Sequence, residues 1–221
     1  DYPCHGTWDD NYLTTSPGLL PDLLRPIEWG EPVKAVPAQW RSLWVTVVAC
    51  RLPLGRSELT LEISGAQAKA PVHFSIGIEV LAQELPPQAL YHTQWFHADC
   101  LADYYGVPVF SEEHWRIIDN FMQSAAAHGV NMLLTPVFTP PLDTAKGGER
   151  TTVQLVDVTW DGREYQFGFS RLRRWAALCL RHGITEIEVA HLFTQWGAEY
   201  APKIIVETPQ GDEKRFGWHT P

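Results

Sequence analysis

Asn131-Met132-Leu133-Leu134-Thr135-Pro136-Val137-Phe138 is the stretch on which the fold turns. A strand with one wet face alternates apolar and polar residues. A strand buried on both faces need not, and a near-continuous apolar run of this length is typical of a parallel sheet covered on both sides. On its N-terminal side, Ser111 is suited to cap a helix, and Glu112 and Glu113 favour the positive end of the helix dipole. Trp115, Ile118, Phe121, Met122 and Ala125 are expected on one face of that helix, with Gly129 ending it. On the C-terminal side, Ser170 is expected to cap a second helix through Leu172, Trp175, Ala176 and Cys179, ended by Gly183. Glu186–Phe193 reads as a further strand, and Leu90–His97 as the strand before the first helix. The order β-α-β-α-β demands parallel strands joined by right-handed crossovers.

The connections are unequal. The turns after the helices are short, Gly129-Val130 and Gly183-Ile184, and the segments after the strands are long. The segment after Phe138 holds a hairpin, 152–158 with 164–169, around Trp160-Asp161-Gly162-Arg163, where Asp-Gly suits a type I′ turn. The segment after Phe193 holds another, 203–207 with 214–218, around Gln210-Gly211-Asp212. Long segments after strands mark the end of a (β/α)8 barrel that carries chemistry. Such a barrel takes about 250 residues, and only residues 89–221 are available here. The expectation is therefore the first β/α units of a TIM barrel, truncated.

Upstream of Pro86-Pro87 the text changes. Leu43–Ala49 is β-branched and aromatic, Ser57–Ile63 alternates with period two, and Pro71–Leu81 reads as a third strand or pair. Short strands separated by turn signals suggest a small β-sandwich. The fold class is thus α/β with an all-β N-terminal domain over residues 1–88 and an incomplete barrel domain over 89–221.

Composition narrows the function. The chain has 221 residues, with 17 basic and 26 acidic side chains and a formal net charge of −9. Nucleic acids and anionic membranes need a basic surface, so neither is an expected partner. No stretch approaches the roughly 18 apolar residues of a membrane span. The first residues show no basic region followed by an apolar run, so no signal peptide is visible and the balance is toward the cytoplasm. Cys4, Cys50, Cys100 and Cys179 form no C-x-x-C pair, and Cys50 and Cys179 look like buried small hydrophobes. Ten tryptophans are many for this length, and serve either as core or as platforms on which sugar rings stack.

Polar and aromatic groups gather at the strand ends. Trp95, His97, Asp99, Asp103, Tyr104 and Tyr105 follow the first strand, and Thr135 and Thr139 close the second. His191, Thr194, Gln195 and Trp196 follow the third, and the last hairpin delivers Trp218 and His219. With parallel strands these share one mouth. A metal on His97, Asp99 and His191 is a weaker reading, since the two histidines on one strand of many metal-dependent barrels are missing. Cys100 beside His97 has no visible activation as a nucleophile. No Gly-x-Ser-x-Gly, Gly-x-Gly-x-x-Gly or P-loop occurs, so neither a nucleophile elbow nor a nucleotide or other cofactor is expected. An indole- and imidazole-lined mouth without phosphate or metal signatures fits carbohydrate. Trp95, His97, Asp99, His191, Trp196 and Trp218 are the expected sugar-lining residues.

Ser16–Pro26 and Gln39–Val47 resemble the N-terminal β-sandwich of glycoside hydrolase family 123 and its large relative, the bacterial domain of unknown function 4091. Trp95–Tyr105, Asn131–Pro136 and His191–Gly197 are similar to the opening strands of that family's barrel. The resemblance implies a retaining hydrolase of β-linked N-acetylgalactosamine. In that family the substrate's acetamido oxygen attacks the anomeric carbon, an aspartate orients the acetamido group, and the adjacent glutamate is the general acid. No Asp-Glu pair at a strand end of this chain matches these, so no catalytic residue is assigned and the isolated chain is expected to be inactive. The expected partners are an N-acetylhexosamine-containing glycan and the remaining part of the barrel. The alternative is a non-catalytic carbohydrate-binding or structural module.

Overall fold

The structure is a computed structural model that describes residues 24–34, 41–65, 69–141, 148–193, 197–198 and 201–216, with 212–216 as backbone only. The chain divides into two compact units, Asp1–Leu85 and Pro86–Pro221. No helix of the described residues is long and apolar enough to cross a membrane.

In the first unit, β1 (Gly55–Ile63) pairs antiparallel with β2 (Val72–Val80), Gly55 opposite Val80 and Ile63 opposite Val72. The period-two reading of Ser57–Ile63 holds: Ser57, Leu59 and Leu61 are half-buried, and Glu58, Thr60 and Glu62 face outward. The strand expected at Leu43–Ala49 is absent. Residues 41–48 have no regular structure and lead into a 3-10 turn, Ala49–Arg51. β-branched and aromatic residues favour a strand only where a pleated, half-buried surface exists to receive them. Here Trp44 is 80% exposed. Cys50, expected in a core, is exposed with it. The described part of this unit is one two-stranded sheet.

The second unit holds the core. In chain order it runs β3 (Thr93–Gln94), α1 (Ala98–Tyr105), α2 (Glu112–Ala127), β4 (Met132–Thr135), β5 (Asp157–Trp160), β6 (Tyr165–Gly168), α3 (Ser170–Arg181), β7 (Glu186–Val189), β8 (Ile204–Thr208) and β9 (Gly211–Phe216). β3, β4 and β7 form one parallel sheet in that order, with Gln94 beside Leu133 and Leu133 beside Ile187. Among the described residues the unit is mixed α/β with three α-helices, and its parallel sheet is open, not a closed barrel.

β3 is shorter than the expected Leu90–His97, because a side chain replaces part of the ladder. Asn131 accepts from the His92 N–H at 2.7 Å and donates to the Leu90 carbonyl at 3.0 Å. Gln88 donates to the carbonyls of Leu90 and Gly129. The chain is thereby zipped to the start of β4 before the strand begins.

α2 starts as expected, with Ser111 Oγ accepting from the His114 N–H at 3.2 Å. Trp115, Ile118 and Met122 are buried, but Phe121 stands off that stripe and is 41% exposed. α3 buries Trp175 and Cys179. Ser170 is its first helical residue and not its cap; Phe169 holds the cap position without a side-chain bond. Gly129 and Gly183 both adopt positive φ just past their helices, as αL terminators do. Asp119 on α2 ties the end of α3, accepting from His182 at 2.6 Å and from Arg181. Partial burial raises the Asp119 pKa, but those two hydrogen bonds outweigh it and hold the carboxyl below its usual range.

The central cluster packs Trp115, Ile118 and Met122 of α2 with Leu133 of β4, Val153 and Leu155 of the following segment, and Trp175 and Cys179 of α3. The Trp175 indole N–H donates to Thr135 Oγ1 at 3.1 Å, so the buried ring leaves no orphaned donor. Burial pushes the Cys179 thiol up to about 11, which keeps it an inert apolar group.

The two hairpins form one sheet rather than two. The strand order is β6-β5-β8-β9, with β5 and β8 parallel through Thr159 and Glu207. The first turn is not type I′. Trp160 pairs with Tyr165, and Asp161 Oδ1 accepts from the N–H groups of Arg163 and Glu164 while Gly162 alone takes positive φ. The second turn is Pro209-Gln210, one step earlier than expected, since Thr208 pairs with Gly211. A lone hairpin is marginal in water, and joining two gives a four-stranded sheet.

Candidate functional site at the strand ends

Side chains alternate along a strand and its extension. Phe96 turns inward and meets Trp175 edge-on, centroids 5.8 Å apart. Trp95 is therefore thrown outward, 46% exposed, just past the end of β3. Across the sheet, Ala190 follows β7 and donates its N–H to the Thr135 carbonyl at 3.0 Å. That bond fixes the backbone beside His191, which is exposed. Trp95 and His191 meet edge to face, centroids 5.7 Å apart at 81°. Residues that follow the two outer strands thus converge over the end of β4, as parallel strands require.

His97 is half-buried at the N-cap position of α1. α1 itself was not expected, though Ala98, Leu101, Ala102 and Tyr105 carry helical spacing before Gly106. Asp99, in its first turn, is 2% exposed. Both Asp99 oxygens are taken by Arg150, from Nε at 2.7 Å and Nη2 at 3.2 Å. The same Nη2 lies 3.1 Å from Cys100 Sγ. Asp103 accepts from Thr151 Oγ1, so α1 is latched twice to the segment that follows β4. Lys203 extends the latch, donating to the Arg150 carbonyl at 2.6 Å and pairing with Glu149 at 3.6 Å. Gln154 continues it like a strand: its amide accepts from the Ile205 N–H and donates to the Ile205 carbonyl.

The structure therefore brings Trp95 and His191 together, places His97 two residues after Trp95 at the start of α1, and sets Asp99 as an anchor of that helix. Thr135 and Thr139 serve the scaffold, the latter accepting from the Val153 N–H. Trp196 and Trp218, with Thr194, Gln195 and His219, lie outside the described residues. Among the described residues no group of three His, Cys, Asp or Glu side chains is placed to hold a metal. The cysteines Cys50, Cys100 and Cys179 are free.

Sequence spacing does not reveal Arg150, Lys203 or Gln154. Their partners lie about fifty residues away, and each sits in irregular chain or at a strand's entry. His114 is also missed. It is fully buried, accepts from the Phe110 N–H at Nδ1, 2.9 Å, and so carries its proton on Nε2, which donates to the Ala98 carbonyl at 2.9 Å. Desolvation holds its pKa below the ordinary 6.5, against the raising effects of the Ala98 bond and the Asp99 charge. The unfolded chain then protonates first on acidification. The neutral imidazole's contribution is complete above the unfolded pKa and is lost as pH falls from 6.5 toward the lower folded value. Urea midpoints measured between about pH 8 and 5 should fall more steeply for the native chain than for His114→Gln. Equal slopes would remove His114 from the acid response.

A search of curated proteins finds no significant match. The family description "Glycoside hydrolase 123, catalytic domain" matches residues 95–221, more than half of the chain. The match begins at Trp95, just past β3, and takes in β4 and β7 of the parallel sheet, the joined hairpins, and both Trp95 and His191. On that match the chain belongs to glycoside hydrolase family 123.

Proposed function

We propose that this chain is the N-terminal portion of a retaining N-acetyl-β-galactosaminidase, in which the substrate's acetamido oxygen displaces the aglycone and water then opens the oxazoline. The edge contact of Trp95 with His191, inside the family's catalytic span, carries the reading. An exposed indole offers a flat apolar face to the C–H side of a pyranose, and imidazoles bond its hydroxyls. Trp95, His97 and His191 line the sugar, and Trp196 and Trp218 are assigned to it from the sequence. Asp99 supports them through Arg150. No residue of this chain is assigned as the acid or the acetamido-orienting aspartate. In this reading β3, β4 and β7 open a (β/α)8 barrel, and the β1–β2 pair belongs to a sandwich.

The test is release of nitrophenol from the aryl N-acetyl-β-galactosaminide by the full-length protein, with the anomer of the first product read by NMR. A β-anomer released first supports the reading, and an α-anomer or complete inactivity overturns it. Sugar bound without turnover would favour a non-catalytic module. Trp95→Ala should weaken binding of methyl N-acetyl-β-galactosaminide roughly tenfold, about 1.4 kcal/mol. Its thermal midpoint should hardly move, since the ring is half exposed. An unchanged affinity would take Trp95 out of the site.

A further inference from the structure

Away from the strand-end mouth, the face of the four-stranded sheet looks across a groove of about 300 Å³ toward the helical layer. Asp157, Ile205 and Glu207 line it from the sheet, Val109 and Phe110 from the turn between α1 and α2, and Arg171 from α3. Strand register explains the first set: Thr159 and Glu207 are partners, so Asp157 and Ile205, two residues before each, share their face.

The wall opposite the sheet is held in place from behind. Phe110 has positive φ, its N–H is fixed by buried His114, and its ring stacks on Trp115 at 5.1 Å. The Arg171 guanidinium lies 5.3 Å from the Phe110 ring centroid and bonds Asp157 at 2.8 Å. Among the described residues Glu207 is in no ion pair. The groove thus offers a pinned guanidinium with donors to spare, two carboxylates, the Thr152 hydroxyl and an aliphatic patch of Val109 and Ile205.

We propose that this groove is a second binding site, separate from the Trp95 mouth, for a neutral saccharide ring. An anion meets Asp157 and Glu207, and a cation meets Arg171. A pyranose has hydroxyls that each donate and accept, so they can satisfy a mixed set, and its C–H face suits the aliphatic patch. The volume is at the small end of ligand sites and suits one or two sugar units. The assignment uses the glycan chemistry proposed for the mouth, but none of its residues.

The test is amide-resolved NMR titration of the full chain with methyl N-acetyl-β-galactosaminide and methyl β-galactoside, with glucuronate and glucosamine as charged controls. A neutral glycoside should shift the amides of Phe110, Val158 and Ile205 with a dissociation constant of about 10 mM or tighter. Glu207→Gln and Arg171→Gln should each weaken that site by roughly fivefold, while Trp95→Ala leaves it unchanged. Both substituted side chains are solvent-facing, so folding is retained. Shifts confined to residues around Trp95 and His191 would overturn this proposal and leave the mouth intact. Shifts at the groove alone would support it and count against the mouth. Tighter binding of either charged control at the groove would also overturn it.

Discussion

Asp99→Asn is expected to destabilise the catalytic-domain unit by about 3–5 kcal/mol, the usual cost of breaking a buried ion pair from one side. The Asp99 side chain is 3% exposed and that of Arg150 13%, so water cannot replace the lost partner. Asparagine keeps the size and one acceptor but removes the buried charge that the guanidinium pairs with. The reverse variant, Arg150→Met, strands the carboxylate, and should cost a similar amount. Removing both charges, as Asp99→Leu with Arg150→Met, should cost less than the sum of the single changes, because no uncompensated charge remains. Urea denaturation of the four proteins measures this directly. A single-variant loss below about 1 kcal/mol would class the pair with ordinary surface bridges. The damage should also reach the sugar. α1 begins just after His97, so loosening its latch lets the Trp95 loop drift, and affinity at the mouth should fall although neither charge touches ligand.

Trp175→Ala should lose about 3–5 kcal/mol, the range for emptying a buried large aromatic site. The ring is fully buried between α2, β4 and the Phe96 edge, and its N–H is the donor to Thr135. Alanine removes both packing and bond. Trp175→Phe keeps a ring but leaves Thr135 without that donor, and should cost about 2 kcal/mol. Thermal or urea midpoints separate the two contributions. A loss under about 1 kcal/mol for alanine would mean that the neighbouring helices close the space. Since Phe96 rests on Trp175 and sets the outward turn of Trp95, the alanine variant should also bind sugar less well.

What the sequence made legible was what periodicity encodes. The run at Met132–Thr135, the Ser111 cap of α2, the buried Trp115, Ile118 and Met122 of α2 and Trp175 and Cys179 of α3, and the glycines that end both helices go with a parallel sheet. That order alone suffices to bring Trp95 toward His191. Of the segments that carried the resemblance to the family, Trp95–Tyr105, Asn131–Pro136 and His191–Gly197 fall within the family match, and Ser16–Pro26 and Gln39–Val47 lie before it. What stayed hidden depends on distant partners. Leu43–Ala49 has strand composition, but composition does not supply a neighbouring strand. Asp99 looks like a ligand group until Arg150 is placed against it, and nothing in its local spacing shows that guanidinium. The joining of β5 to β8 is equally invisible, because each hairpin reads as complete in itself.

That joining bears on how the molecule assembles. β5 and β6 are separated from β8 by all of α3 and β7, and Gln154 waits on Ile205 for two of its bonds. While residues 204–216 are still being synthesised, the earlier hairpin has an open edge, and the groove beside it has only one of its two carboxylates. Half of the rim is therefore provisional until the other half is made, and a lengthened or shortened segment on either side alters both.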